Sequence, residues 1–257
     1  AIAILSVAVI LASVYILRAN IGASTELEQQ FSDFMNTYRR SYNSEVEYEY
    51  RLNVFRENLE TAKHLNELNP DATFGVTPFA DLTDDEMLLR MGDLDVDVPV
   101  TPNLPPVKRR TPSNEPDWTG FFQPIQNQKA CGSCWAFAAT ATVEAYKAIQ
   151  GDEDVKLSEQ QLVDCVSTCS GCDGGLANLA YDYLANNTFC TEQAYPYLAK
   201  NGQCHSCEKS VKGDAGSVML EHDENSILER LAEGPISVSV DASTWKTYIG
   251  GVMADGC

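Results

Sequence analysis

An α+β fold is predicted for these 257 residues by three observations. Apolar side chains recur at three- and four-residue steps over residues 25–69, the spacing of a helix face, and 134–148, 158–164 and 176–186 also read as helices. Apolar and polar residues alternate strictly over Ile236–Asp241, the period of a half-buried strand. The composition changes at Asp117: all nine cysteines fall between Cys131 and Cys257. A charged, helical N-terminal part therefore precedes a cysteine-rich part of helices and strand, enough chain for one large domain and an accessory segment.

Residues 1–17, AIAILSVAVILASVYIL, are almost wholly apolar and end at Arg18. They fall short of the about 20 residues of a relaxed membrane span. They suit the apolar core of a signal peptide over 1–23, with Gly22 and Ala23 near a cleavage site, and a signal anchor is the alternative. Either sends the rest of the chain into the secretory route. With no initiator Met and no basic leader, the N-terminus is expected to be cut.

Over 25–69 the helical stripe is Phe31, Phe34, Tyr38, Tyr48, Leu52, Phe55 and Leu59, and Asn69-Pro70-Asp71 closes it with turn chemistry. Phe74 to Asp81 reads as extended. Thr83 with Glu86 three residues on is a capping box. Residues 93–116 hold six of the eleven prolines and the basic run Lys108-Arg109-Arg110, and read as an exposed linker with a processing site. Cys134–Ala148 is a helix apolar on several faces, hence buried. Ser158 with Gln161 opens a second, Leu176–Asn186 is a third, and Asn225 is placed to cap a short one over Ser226–Glu233. Asn186-Asn187-Thr188 is a glycosylation sequon.

The net charge is −19 and the pI about 4.4. Residues 24–100 alone carry 17 Asp/Glu against 6 Lys/Arg. This balance argues against nucleic acid or an anionic membrane face as partner. The cysteine density points to an oxidising compartment and a disulfide framework. Zinc is the rival reading, because Cys169, Cys172, Cys204 and Cys207 form two short-spaced pairs. No cofactor and no metal are expected.

Chemistry concentrates in Gln126-Asn127-Gln128-Lys129-Ala130-Cys131-Gly132-Ser133-Cys134-Trp135. A thiol attacks as its thiolate. Cys134 stands at the predicted start of a helix, where backbone N–H groups and the helix dipole favour an anion. Gln128 can offer a side-chain N–H to the oxyanion formed when a carbonyl is attacked. The rival is a redox C-x-x-C, Cys131 to Cys134, but no preceding strand of a βαβ unit is visible.

The run resembles the papain/cathepsin cysteine peptidases, whose local signature is C-G-[SA]-C-[WY]. The resemblance implies Cys134 as nucleophile and Gln128 as oxyanion-hole residue. Lys129-Ala130 departs from the Gly and small polar residue usual there. Leu157–Cys165, Gly171-Cys172-Asp173-Gly174-Gly175, Glu192–Tyr197 and Gly234–Val238 are also similar to family segments. They imply a substrate strand lying along Gly174, Gly175 and Leu176, and a roomy apolar pocket lined by Ala177 and Ser239. They further imply disulfides Cys131–Cys172 and Cys165–Cys204. Cys169, Cys190 and Cys207 are left unassigned, and Cys257 matches a cysteine whose partner lies downstream.

Earlier in the chain, Glu47, Arg51, Phe55, Asn58 and Asn66 stand at the spacing of the family's ERFNIN propeptide helix, with Ala62 where Ile is usual. Gly75, Thr77, Phe79 and Asp81 fit its G-x-[NT]-x-F-x-D motif. The resemblance is thus to a cathepsin L-like zymogen. It implies an inhibitory propeptide over 24–92, a linker with the activation region over 93–116, and a peptidase domain over 117–257. The implied fold is papain-like, with a helical left domain and an incomplete β-rich right domain. The protein is expected to be monomeric, to act on polypeptides, and to reach a lysosome- or vacuole-like compartment or the exterior. Acid is expected to loosen the propeptide by protonating carboxylates.

The family's histidine and asparagine follow the cysteine by about 130–150 residues. The histidines here are His64, His205 and His222, none at that spacing and all read as surface residues. The chain is therefore expected to stop short of its base and to be inactive as given. The competing class is a non-catalytic, propeptide-bearing binding protein, an inhibitor or decoy.

Overall fold

The computed structural model describes residues 25–92, 117–152, 155–213, 216–220 and 223–254. The apolar leader, the linker with Lys108-Arg109-Arg110, His222 and Cys257 lie outside the described residues. The chain divides into two compact units, one of residues up to Met87 together with those from Asp241, the other Leu88–Val240.

In the first unit the stripe expected as one helix forms two, α1 (25–38) and α2 (Glu45–Leu68). The break has a local cause. Arg39 takes a left-handed φ of 53°, and the Arg40 N–H closes back on the Met35 carbonyl at 2.9 Å, a Schellman-type end. Ser44 then caps α2, accepting from the Glu47 N–H at 3.2 Å, while the Glu47 carboxylate accepts the Asn43 N–H at 2.9 Å. Periodicity misses this turn because both helices turn aromatic faces to one cluster. Phe31, Phe34 and Phe55 are buried together, with the Phe55 ring centred 5.2 and 5.1 Å from the other two.

Past α2, β1 (Ala72–Phe74) pairs antiparallel with β4 (Tyr248–Gly251), Ala72 opposite Gly251 and Phe74 opposite Tyr248. The extended run expected to reach Asp81 ends at Phe74. Pro78 offers no N–H to a ladder, and the chain turns instead, Ala80 N–H to Thr77 O and Leu82 N–H to Phe79 O. The Thr83–Glu86 box is reciprocal at 2.9 and 3.2 Å and opens α3 (Asp84–Leu88).

The motif residues of α2 hold this returning chain. Asn58 donates to the Ala80 and Leu82 carbonyls, both at 2.9 Å. Asn66 pairs with both backbone groups of Phe74 at 2.9 Å. Arg51 grips both oxygens of Glu86, at 2.6 and 2.7 Å, and the Asp81 carbonyl at 3.0 Å. The Arg51 bonds hold the Glu86 carboxyl down at about 2. Asp81 is buried, accepts the Tyr42 hydroxyl at 3.0 Å and lies 3.3 Å from Arg40. Thr77 donates to the Lys246 carbonyl, and the Gly75 N–H to Thr247 O at 2.7 Å. Phe79 is half-buried, its N–H donating to the Thr77 hydroxyl at 3.1 Å.

The second unit is built on α4 (Cys134–Gln150), with α5 (Glu159–Cys165) and α6 (Ala177–Leu184) packed against it. Trp135, Ala139 and Val143 meet Leu157, Leu162, Ala180, Leu184 and Phe189 in one core. Ser158 caps α5 as expected, accepting the Gln161 N–H at 3.0 Å. β2 (Thr188–Cys190) and β3 (Ser210–Lys212) form an antiparallel pair. Asn186, in the sequon, is exposed between α6 and β2. The cap of α7 (Glu224–Leu231) is Asp223, not Asn225: its carboxylate accepts the Ser226 N–H at 3.1 Å. A carboxylate at that end is further favoured by the helix dipole.

Ile236–Asp241 forms no strand. Alternation supplies two faces but not a ladder partner, and among the described residues none flanks it. The polar face is held instead: the Ser237 hydroxyl meets Thr142 at 3.0 Å and Tyr181 at 2.6 Å. Val238 and Val240 are left 62% and 54% exposed.

Candidate active site

The site lies in the second unit and begins with its disulfides. Cys131 is bonded to Cys172 and Cys165 to Cys204, the pairs the resemblance implies, and Cys190 to Cys207. This third bond ties the end of β2 to the approach of β3, an assignment the sequence left open. Cys172, Cys204 and Cys207 are consumed in separate disulfides, so the zinc reading loses its ligands. The redox reading falls likewise, because Cys131 pairs with Cys172 and leaves Cys134 a free thiol. Cys169 is also free, half-buried, and burial pushes its thiol up.

Cys134 is the first residue of α4. The helix starts there because the disulfide fixes Cys131, the Gly132 N–H bonds the Cys172 carbonyl at 2.8 Å, and Trp135 anchors the first turn. The Trp135 ring is buried, and its Nε1–H donates to the Gly171 carbonyl at 3.1 Å. The half-exposed thiol sits above this buried turn. Gln128 lies in the irregular run before Cys131, its Nε2 donating to the Cys131 carbonyl at 2.8 Å. Lys129, next in line, takes a left-handed φ of 56°, which accounts for the Gly usual there in the resembling family.

A second carbonyl reaches Gln128. The Arg90 oxygen lies 2.6 Å from Nε2. Two residues on, the Gly92 carbonyl accepts the Gly175 N–H at 2.9 Å. A stretch of backbone, 90–92, therefore runs between the Gln128 amide and the Gly174-Gly175 turn. The fit is close on both sides. A Cβ at Gly92 would lie 1.8 Å from the Gly132 carbonyl oxygen, and one at Gly175 would lie 2.5 Å from the Trp135 ring.

The remaining candidates are less gathered. Gly174 ends the 3-10 turn Gly171–Asp173 at φ 130°, and Leu176, buried, leads into α6. Ala177 is half-buried at the start of α6, whereas Ser239 is exposed in the irregular 235–242 run. The sequence missed Tyr197, whose hydroxyl donates to the Gln128 backbone carbonyl at 2.8 Å and meets the Ser133 hydroxyl at 2.7 Å. It also missed Glu144, an acid buried in α4 that accepts the Leu157 N–H at 2.6 Å and lies 3.3 Å from Lys156; burial pushes it up to about 7. His64 and His205 are exposed, as expected; the His205 ring lies flat on that of Tyr195, 3.8 Å between centres.

A free cysteine thus opens a helix, and the chain just before it carries a side-chain amide and a turn fixed by a disulfide. Residues 113–257 match the papain family cysteine proteases, and residues 31–87 match the cathepsin propeptide inhibitor domain. A cysteine proteinase of Trypanosoma brucei brucei is 35% identical over 97% of this chain, and cysteine proteinase B of Leishmania mexicana 34% identical over 98%. The chain spans 58% and 61% of the length of those relatives. The digestive procathepsin L2 proteinase of Tenebrio molitor larval midgut has a similar structure, with a TM-score of 0.76 at 33% identity, covering 89% of this chain and 80% of that one. The chain belongs to the papain family of cysteine proteases and carries that family's propeptide inhibitor domain. The decoy reading draws no support from these matches.

Proposed function

We propose that the protein is the precursor of a cysteine endopeptidase that hydrolyses polypeptides through a thioester on Cys134. The thiolate attacks the scissile carbonyl carbon, and the oxygen gathers negative charge within reach of the Gln128 Nε2–H. Collapse expels the amine and leaves the acyl group on sulfur, and water then releases the acid. A histidine base is part of this reading, as it is of the resembling family. Residues 24–92 act as the built-in inhibitor, with 90–92 held at Gln128 and Gly175, and cleavage within 93–116 frees the peptidase. The working compartment is the acidic or outer end of the secretory route, and the active form is a monomer. Ala177 and Ser239 border a pocket for an apolar side chain.

The observation that carries this reading is the pair of contacts at 90–92. The Arg90 carbonyl meets Gln128, and Gly92 bonds Gly175, so a peptide backbone already occupies the groups assigned to substrate. The test is labelling by a peptidyl epoxide after acid processing, on a longer form of the chain that includes the histidine base, with Cys134→Ser alongside. Labelling confined to Cys134 together with peptide hydrolysis is the expected result. A processed chain that neither labels nor cleaves overturns the reading. Processing that runs equally well at neutral pH overturns the acid trigger alone.

A further inference from the structure

Ser133 occupies the N-cap position of α4, yet its hydroxyl makes no capping bond. A serine there ordinarily accepts a backbone N–H from the first turn. Here the hydroxyl is turned to Tyr197, 2.7 Å away. The same Tyr197 hydroxyl lies 2.8 Å from the Gln128 backbone carbonyl. A carbonyl can only accept, so the single phenol proton goes to Gln128, and Ser133 must donate to the phenol oxygen. One oxygen atom thus joins the residue that carries the oxyanion donor to the residue that precedes the nucleophile.

Tyr197 is itself held on several sides. Its N–H donates to the Glu192 carboxylate at 2.9 Å, and the next N–H, of Leu198, to the Gln160 side chain at 2.8 Å. Its ring stands edge-on to Phe137, 4.9 Å between centres, on the first turn of α4. Burial raises the phenol, so it stays protonated and able to donate. The loop bearing Gln128 has no regular structure between 123 and 130. A side-chain tether is what such a loop needs to hold an amide at a fixed distance from a helix start.

We infer that Tyr197 is a positioning residue of the oxyanion site, its hydroxyl setting the distance between the Gln128 amide and the N-terminus of α4. It touches neither substrate nor thiol. The inference rests on the peptidase reading of Cys134 and Gln128.

The test compares Tyr197→Phe, Gln128→Ala and the parent in the processed enzyme. Three readouts are taken: kcat and KM on a peptide amide, affinity for a peptide aldehyde, and the rate of Cys134 alkylation by iodoacetamide. Aldehyde addition creates an oxyanion, whereas alkylation by iodoacetamide does not. Tyr197→Phe is expected to lower kcat and aldehyde affinity together by about 10- to 100-fold, the scale of a misplaced catalytic group. KM and the alkylation rate should stay within about twofold, a shift too small to count as loss of a catalytic contact. An unchanged kcat in Tyr197→Phe beside a reduced one in Gln128→Ala overturns the inference alone. A parallel fall in the alkylation rate overturns it too, since that marks general loosening of α4. If Gln128→Ala leaves turnover intact, the oxyanion assignment fails and this inference with it.

Discussion

Asn58 shows how a single side chain in this protein does the work of a strand neighbour. Its amide supplies both hydrogens to the Ala80 and Leu82 carbonyls in a buried setting. Replacing it with Ala would leave two carbonyls without donors. Each unmade buried bond costs about 1–3 kcal/mol, so Asn58→Ala is expected to lower the unfolding free energy of the first unit by at least that, as read by urea denaturation. Asn58→Asp would be no remedy, because an ionised carboxylate has no hydrogen to give. At this scale the sequence was informative where a residue's spacing carried its role: Asn58 and Asn66 bond the chain that follows α2. It was silent on Tyr197, whose partners lie 64 and 69 residues away.

Two elements carry predictions of their own. The Arg51–Glu86 clamp fastens α2 to α3, and it has a pH signature. Glu86 titrates near 4.5 when unfolded and is lowered to about 2 in the fold, chiefly by its Arg51 hydrogen bonds. A lowered carboxyl contributes stability that is fully present above the unfolded value and lost as pH falls through the folded one. Glu86→Gln is therefore expected to be less stable than the parent at neutral pH, with the gap closing between about pH 4.5 and pH 2, as read by denaturation midpoints across that range. Mild acid leaves this clamp ionised, so the acid trigger proposed above would act through other carboxylates. The β2–β3 pair carries the other prediction. Cys190 and Cys207, 17 residues apart in sequence, close a short loop around it. Removing that bond with paired serines should cost about 3 kcal/mol of unfolding free energy.

Across the whole molecule the decisive feature is that residues after α3 enter the site. Gly92 passes so close to Gly132 that a methyl group has nowhere to go. Gly92→Ala should force residues 90–92 off the Gln128 amide and the Gly175 N–H. The expected outcome is faster labelling of Cys134 in the unprocessed chain, measured by epoxide incorporation over time, with no loss of the processed enzyme's kcat. Equal labelling of parent and variant would show that 90–92 does not guard the thiol. The acidic composition belongs to this scale as well: a chain at −19 repels anionic partners.

The helices α4 and α5, the Ser158 cap and the Thr83–Glu86 box were legible because each follows from side chains a few residues apart. So were the free cysteine that opens α4 and the amide six residues before it, since both lie on one short stretch of chain. Ile236–Asp241 was misread because a strand exists only with a partner, and the alternation contains no partner. The α1–α2 turn was misread because periodicity registers burial but not the single left-handed residue that redirects a helix. Local spacing thus determined most of the helices and where the candidate residues stand. Tertiary structure alone decided that Cys190 bonds Cys207, that Tyr197 ties Gln128 to Ser133, and that the Arg90 carbonyl occupies the Gln128 amide, because these depend on which distant residues the fold brings within a few ångströms.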